Sequence, residues 1–497
     1  MDQAHTGSPD PSAAQSRRER AAAREAGAEP RSADIAGAQP AAMGRTGDSA
    51  VSRPVGFQPE PSGGSAARPV DSAAVRRRNL GLVLRHIAEH GPCARTEIAA
   101  ATGLAHGSVT ALVGDLVERG LVREDDALRS GGRGRPGRPV RLAPGRALSM
   151  AVQITSERLR VVVADLSGEI VWRESIAHHA APGRPESMAD AVAAAVVRAE
   201  SNTGSTTFVA AVPGVAPVSP DAATVNAGSA ESVLVRIVIA MAGPVRDDDA
   251  QTVMAAADFG WLQPVRLGEL VRERLPGLGC PIEVVNDGNA AALAEYHARG
   301  RRGGLVLIQA GTGIGGGVVL HGRIQIGSHG IAGEPGHMPV ALDGPVCLCG
   351  ARGCLVLYAG PEAVLAAAGF GEVLAEAGLE VASGRLIAAL AAGDARALAA
   401  IETAAQALGA VITAITALLD VDEIVLGGLL AQWFPWLSPT IEARVAGRRA
   451  LARGLDIGIE PGLLGADAML LGAIEFARRT VLSDPATVPP LSAVSEV

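Results

Sequence analysis

The hydrophobic pattern predicts three short helices and a hairpin where the ordered part of the chain begins. Apolar residues recur with the i, i+3, i+4, i+7 spacing of one helix face at Leu80, Val83, Leu84 and Ile87. A second helix is predicted to end at Gly103, and a third, with its own apolar stripe, to end at Gly120. Two short strand patterns follow. This order of elements predicts a winged helix-turn-helix domain over residues 75–146.

The third helix and the segment between the two strands carry the candidate DNA contacts. In a winged helix-turn-helix the third helix enters the major groove, where its early solvent-facing residues reach base edges. These residues include His106, Ser108 and Thr110. Arg133 and Arg135, in S-G-G-R-G-R-P-G-R-P, form a glycine-spaced arginine arm that suits the narrow minor groove. A helical bundle that contacts only protein is the alternative, and the arginine arm favours DNA.

Charge is distributed unevenly along the chain. The net charge is −8, yet thirteen arginines and seven acidic residues between Arg76 and Arg146 give that segment a charge of +6. The rest of the chain therefore carries −14. A basic module joined to an acidic body is typical of a DNA-binding head on a metabolic type of domain.

Alternating strand and helix patterns replace the helical pattern from Met150 onward, which predicts an α/β body. A strand, a turn with its tip at Ser167–Gly168 and a second strand open this body. A later strand ends at Asn286–Asp287, and open α/β folds bind ligands at the carboxyl ends of strands. A Gly-rich turn, Gly311–Gly317, comes next.

The two ends of the chain and one internal stretch lack such patterns. The N-terminal segment is rich in Ala, Pro, Ser, Gly and Arg, so it is predicted to be disordered. An auxiliary DNA-contacting arm that uses Arg17, Arg18 and Arg20 is the alternative. The predicted divisions are a disordered arm at 1–74, the winged head at 75–146, the body at 149–480 with an insertion at 201–232, and a disordered tail at 484–497.

Three of the five cysteines lie within eight residues, in the run C-L-C-G-A-R-G-C. They are Cys347, Cys349 and Cys354, and His337 lies ten residues upstream in G-E-P-G-H-M-P-V. Three thiolates and one imidazole form a complete tetrahedral set for Zn²⁺. Because a full set leaves no position open for water, the predicted zinc site is structural rather than hydrolytic. Small core residues or a disulfide are the alternative.

The stretch from Leu305 to Cys354 resembles the signature of the ROK family. It contains L-V-L-I-Q-A-G-T-G-I-G-G-G-V-V-L-H-G-R, G-I-A-G-E-P-G-H-M-P-V and the cysteine run. That family holds sugar kinases and repressors that carry a sugar-kinase fold behind a DNA-binding head. The resemblance covers about residues 78–480 and is greatest to repressors of the xylose and N-acetylglucosamine type. It implies an α/β chain with an N-terminal winged helix-turn-helix and a two-lobed actin-like (ribonuclease H-like) sugar-kinase fold.

The resemblance also implies a sugar pocket formed by Gly243, Asn286, Asp287, Glu334 and His337. Asp287 occupies the position of the general base in a working kinase. His337 would contact zinc through one ring nitrogen and the sugar through the other. Val356 replaces a family glutamate, and that change removes a charged hydrogen bond worth about 1.5–3 kcal/mol. We therefore expect weak binding of simple hexoses, or a preference for a less polar or phosphorylated ligand.

The phosphate-binding motif of the family kinases is altered. Those kinases have Asp-x-Gly-x-Thr in the first hairpin, whereas this chain has Gln153, Thr155 and Glu157 at the three fixed positions. A glutamate close to a triphosphate is repulsive by several kcal/mol unless it is screened. The Gly-rich turn 311–315 is retained and also occurs for packing reasons alone. The sequence predicts no kinase activity, with Asp287 a vestigial base.

These features predict a cytoplasmic transcriptional regulator, a repressor of carbohydrate genes. It would bind a double-stranded DNA operator as a homodimer or homotetramer and respond to a sugar or sugar phosphate. The small number of cysteines, grouped as ligands, suits a reducing compartment, and no apolar run approaches the roughly 18 residues of a membrane span. Two alternatives remain: an active ATP-dependent sugar kinase that also binds DNA, and a regulator that responds to a protein partner instead of a sugar.

Overall fold

The computed structural model describes residues 72–125, 138–204, 232–300, 302–451 and 457–491. The predicted N-terminal arm, the wing arginines Arg133 and Arg135 and nearly all of the predicted insertion lie outside these residues. The described chain forms one compact unit from Ser72 onward.

The N-terminal part is a winged helix-turn-helix, as predicted. Its elements are α1 Ser72–His90, α2 Arg95–Thr102, α3 His106–Glu118, β1 Val122–Glu124 and β2 Val140–Leu142. The strands pair antiparallel, with Val122 opposite Leu142. The apolar stripe of α1 is buried, because its four predicted residues are each at most 2% exposed. α1 begins three residues before the predicted boundary of the domain.

The N-terminal lobe of the body contains a five-stranded sheet in the order β5-β4-β3-β6-β7. Its elements are β3 Ala147–Ile154, β4 Arg158–Asp165, β5 Ile170–Ala177, α4 Pro185–Thr203, β6 Val233–Met241, α5 Leu267–Glu273 and β7 Ile282–Asn286. The opening of this lobe differs from the prediction, because it has three strands rather than two. Residues 155–157 form the first turn, and Ser167–Gly168 lies in the second, between β4 and β5.

The C-terminal lobe contains the second sheet, in the order β10-β9-β8-β11-β12. Its elements are α6 Asp287–Ala298, β8 Leu305–Ala310, β9 Ile314–Leu320, β10 Arg323–Ile324, α7 Val356–Ala359, α8 Pro361–Ala367, α9 Gly371–Ala377, α10 Leu379–Ala391, α11 Ala395–Leu419, β11 Glu423–Gly428, α12 Leu429–Leu451 and β12 Gly458–Pro461. α6 connects the lobes, since Ala290 packs in the core beneath the first sheet and Ala292 in the core beneath the second. The predicted two-lobed α/β fold is confirmed.

α11 is long and apolar enough to cross a membrane by length and composition. In the protein its apolar face lies in the core of the C-terminal lobe, where Ala404, Leu408 and Ile412 are fully buried. Burial in that core explains the composition of this helix.

The chain returns to the N-terminal lobe through α13 Ala468–Ser483. The prediction of a disordered tail from Asp484 is wrong for residues 484–491. A single 3-10 turn, Pro485–Thr487, follows α13, and Val488 is fully buried in the core of the winged head. The remaining tail residues, 492–497, lie outside the described part of the chain.

Candidate functional site

The loop between Glu334 and α7 holds the predicted metal ligands. A 3-10 turn, Pro335–His337, opens it, and the backbone amide of Leu355 donates to the carbonyl oxygen of Met338 to close it. Gly353 is required within the loop. Its φ is +65°, and a Cβ there would lie 1.8 Å from the carbonyl oxygen of Ala341. The sequence therefore folds this segment into a tight loop around its cysteines.

The four predicted ligand residues are brought together. The donor atoms of His337, Cys347, Cys349 and Cys354 all lie within 4.8 Å of one another. The Cys349 and Cys354 sulfurs are 3.6 Å apart, as are the Cys347 sulfur and Nδ1 of His337. Tetrahedral coordination at zinc bond lengths of about 2.0–2.3 Å places such atoms about 3.6–3.8 Å apart. All the cysteines are free, so this cluster is not a disulfide, and it could hold a metal ion.

Three residues of the predicted pocket, Asn286, Asp287 and Gly243, meet where β7 ends and α6 begins. The Asn286 side chain caps α6 by accepting from the backbone amide of Asn289, and its Nδ2 donates to the carbonyl oxygen of Gly243 at 3.0 Å. α6 begins at Asp287, directly after this cap. Asn286 therefore has the structural role of a helix cap.

Asp287 and Glu334 are two carboxylates of the predicted pocket, and the charge of Asp287 affects the pKa of Glu334. Burial raises the pKa of Asp287 to about 6, and the neighbouring Asp258 carboxylate adds to the rise. Burial also raises the pKa of Glu334 to about 7, and the charge of Asp287 contributes. Above these pKa values the two half-buried carboxylates carry negative charges that need hydrogen-bond donors, and the hydroxyl groups of a sugar are such donors.

Asp258 is a carboxylate whose charge affects the pKa of Asp287, and the sequence pattern did not identify it as functional. It is the first residue of D-F-G-W and lies in the 3-10 turn Ala257–Phe259. Its carboxylate accepts a hydrogen bond from the hydroxyl of Thr312 at 3.0 Å. Thr312 lies in the Gly-rich turn. Asp258 therefore binds that turn through a hydrogen bond, and its charge also affects Asp287. The D-F-G-W motif was the available signal, although nothing in its local pattern indicated this contact.

The altered phosphate motif has partners within the protein. Gln153 accepts a hydrogen bond from the Arg160 guanidinium at 3.1 Å, and its Nε2 contacts the sulfur of Met469. Arg160 also pairs with Asp467, at the start of α13. Gln153, which the resemblance places where the family kinases have an aspartate, thus has a partner for each end of its side-chain amide.

The predicted DNA-contacting residues of the described head lie on its surface. His106, Ser108 and Thr110 are exposed along the first turns of α3, while Val109 and Leu112 on the opposite face are buried. The base of the wing is held by the ion pair of Arg95 and Glu124, and by that of Arg141 and Asp125 at 2.7 Å. Among the described residues, none covers the side chains of His106, Ser108 and Thr110 on these first turns of α3.

Comparison with known proteins identifies the parts of the chain. The sequence profile of the ROK family matches residues 221–480, more than half of the 497 residues. The chain belongs to the ROK family. A second profile, described as the MarR family, matches residues 81–130, within the winged head.

Individual relatives include both regulators and kinases. The xylose repressor of Bacillus spizizenii is 26% identical over 407 residues, which are 81% of this chain and 95% of that protein. The N-acetylmannosamine kinase of Citrobacter koseri is 35% identical over 200 residues, 39% of this chain and 63% of that protein. The crystal structure of a ROK family transcriptional regulator, a homologue of the E. coli MLC protein, superposes with a TM-score of 0.66 at 24% identity. That superposition covers 85% of this chain and all of the other, and it shows the shared fold.

Proposed function

We propose that this ROK protein is a cytoplasmic DNA-binding repressor of carbohydrate genes whose body senses a sugar. The observation that carries the proposal is the joining of a winged head to the sugar-kinase-like body in a single chain. The similarity to a xylose repressor extends over 95% of that protein and so includes both parts. The effector would be a sugar or a sugar phosphate.

The head supplies the operator contacts in this proposal. His106, Ser108 and Thr110 would read base edges in the major groove, and Arg133 and Arg135 would enter the minor groove. A single head of this size offers a small interface, so specific binding requires two heads on an inverted repeat. We therefore propose a homodimer, or a homotetramer built from such dimers.

The pocket supplies the effector contacts. Gly243, Asn286, Asp287, Glu334 and His337 would surround the sugar. Nδ1 of His337 faces the cysteines, which leaves Nε2 for a ligand hydroxyl. Val356, the first residue of α7, follows the last cysteine of the cluster by two positions and offers no hydrogen bond. A sugar that lacks a polar group at that position, or that carries a phosphate elsewhere, would fit better than a simple hexose.

A structural zinc ion in the cysteine cluster would fix the pocket. The cluster provides sulfur and imidazole donors at distances that suit zinc. His337 would belong to both the metal site and the pocket, and Glu334 lies three residues before it. Zinc would therefore hold two of the five pocket residues in place.

The most specific part of the proposal is that the protein lacks kinase activity. Phosphoryl transfer depends on positioning of the triphosphate and on charge stabilisation by metal and backbone. Gln153 in β3 is held by Arg160, and Glu157 adds negative charge to the turn that follows β3. Asp287 alone could accept a proton but could not transfer phosphate. An active kinase that also binds DNA is the second candidate, favoured by the 35% identity to an N-acetylmannosamine kinase.

A phosphate-transfer assay separates these two candidates. The purified protein is incubated with magnesium, ATP and a set of pentoses, hexoses and amino sugars, and sugar phosphate is measured by mass spectrometry. We expect less than one phosphorylated sugar per protein chain. Stoichiometric phosphorylation of any sugar would overturn the sensor in favour of the kinase.

A further inference from the structure

The carboxyl-terminal segment Asp484–Leu491 is part of the winged head. Val488 is fully buried in the same core as the three helices of the head, together with Val481 and Leu482 from the end of α13. α1 lies directly against this end of α13, because a Cβ on Gly81 would lie 2.4 Å from the carbonyl oxygen of Ser483. The last described residues of the chain thus complete the core of the winged head, which the first described residues form.

Two arginines of the head hold the backbone of this segment. Arg119, which follows α3, donates from its guanidinium to the carbonyl oxygens of Ala486 and Val488. Arg146, only 4% exposed, donates to the carbonyl oxygen of Pro489 at 2.9 Å. Prolines supply no N–H groups, so a segment with three prolines in six residues has few internal donors for its carbonyl groups. The two guanidinium groups serve as those donors.

We propose that Arg119 and the segment Pro485–Leu491 form a brace that sets the orientation of the recognition helix α3. This inference rests on the proposed DNA-binding function. α3 has 13 residues and is therefore about 20 Å long, with its base-reading residues at one end and Arg119 at the other. A tilt of about 5° at the braced end moves the other end by about 2 Å, well beyond the ~0.5 Å tolerance of a preorganised binding site. Arg119 is a positioning residue in this account.

The brace also ties the head to the lobe that carries the pocket. It continues from α13, which packs on the first sheet and on α6, the helix that begins with Asp287. Arg478 of α13 donates to the carbonyl oxygen of Leu166, whose side chain lies in the core of the head. Because Ala147 and Leu166 of the N-terminal lobe pack in the core of the head, we expect a movement of that lobe to carry α3 with it.

Two truncations and one substitution test the brace by operator affinity. A chain ended after Asp484 loses the brace, whereas a control chain ended after Leu491 keeps it. Both lose the acidic residue Glu496, so their charges change equally. We expect the first truncation and Arg119→Ala each to weaken operator binding by about tenfold or more, the loss typical of one good base contact. The control truncation should stay within about twofold, and zinc content should stay at the wild-type value in all three proteins.

A double variant and the salt dependence of binding separate a brace from a direct phosphate contact. If Arg119 acts through the segment, Arg119→Ala added to the chain ended after Asp484 weakens binding little further. The slope of log Kd against log salt concentration should stay at its wild-type value, and Arg119→Lys should recover part of the affinity. A slope smaller by about one for Arg119→Ala would show a phosphate contact and overturn the brace.

Failure of the brace and failure of the proposed DNA-binding function would give different results. Arg119→Ala leaves the chain complete, so it tests the brace even if the shortened chain does not fold. Unchanged affinity for Arg119→Ala, or an equal loss for both truncations, would overturn the brace alone. A wild-type protein that binds no duplex DNA would overturn the proposed function, and the brace with it.

Discussion

Replacing Cys354 with serine should remove the metal and destabilise the C-terminal lobe. The Cys354 sulfur is fully buried, and its residue lies between the Gly353 turn and α7. Structural zinc contributes directly to folding, and loss of a buried metal site is among the most destabilising single changes. We expect zinc to fall from one ion per chain to less than about 0.1, and the free energy of unfolding to fall by about 3–5 kcal/mol. Elemental analysis and denaturant titration measure the two quantities.

Cys280→Ala is the matched control. Cys280 is also a buried thiol, 3% exposed, but it lies in the core of the N-terminal lobe, away from the cluster. Burial raises its pKa to about 12, so it stays protonated. This variant should keep its zinc and lose only about 1–2 kcal/mol of stability. Wild-type protein purified without chelators that contains no zinc would contradict the proposed metal site.

A protein with both Arg133 and Arg135 changed to alanine should lose most of its affinity for operator DNA. Each arginine that lies against phosphates contributes up to about 0.9 to the slope of log affinity against log salt. We expect affinity to fall by about a hundredfold at physiological salt and the slope to decrease by up to about 2. The operator is first obtained by selection on random duplex DNA, and anisotropy titrations at several salt concentrations give both quantities.

Two variants complete this test of the head. Arg323→Ala with Arg385→Ala removes the same charge from exposed positions of the C-terminal lobe and should leave binding unchanged. Ser108→Ala with Thr110→Ala should instead relax the choice of sequence, since base contacts carry specificity. If the Arg133 and Arg135 variant bound the operator with wild-type affinity at physiological salt, the assignment of the wing would be wrong.

Structural features whose residues all lie close together in the sequence could be predicted. The apolar stripe of α1 needed only the helical period of Leu80, Val83, Leu84 and Ile87, and all four are buried. The ligand cluster needed only the spacing of three cysteines and the upstream His337, because one tight loop contains all four residues. In both cases the partners are close in the chain.

Features that depend on distant partners could not be predicted in this way. The described segment after Asp484 has only two buried residues, Pro485 and Val488, and its carbonyl groups accept from Arg119 and Arg146, which lie far away in the sequence. No periodic pattern records such backbone contacts, so the segment was predicted to be disordered. The same holds for Gln153, whose contact with Met469 joins β3 to α13.

Operator binding with and without sugar, in the absence of nucleotide, tests the central claim most directly. Labelled operator is titrated with protein at pH 7.5, above the pKa of about 6 of Asp287, so that this carboxylate is ionised and can accept from a sugar hydroxyl. At least one pentose, hexose, amino sugar or sugar phosphate should weaken DNA binding by about 5- to 150-fold, the usual range of coupling between two sites. Asp287→Asn should still bind the operator but lose this response. If no sugar changed the affinity, or if release required ATP, the account of a nucleotide-independent sugar sensor would be contradicted.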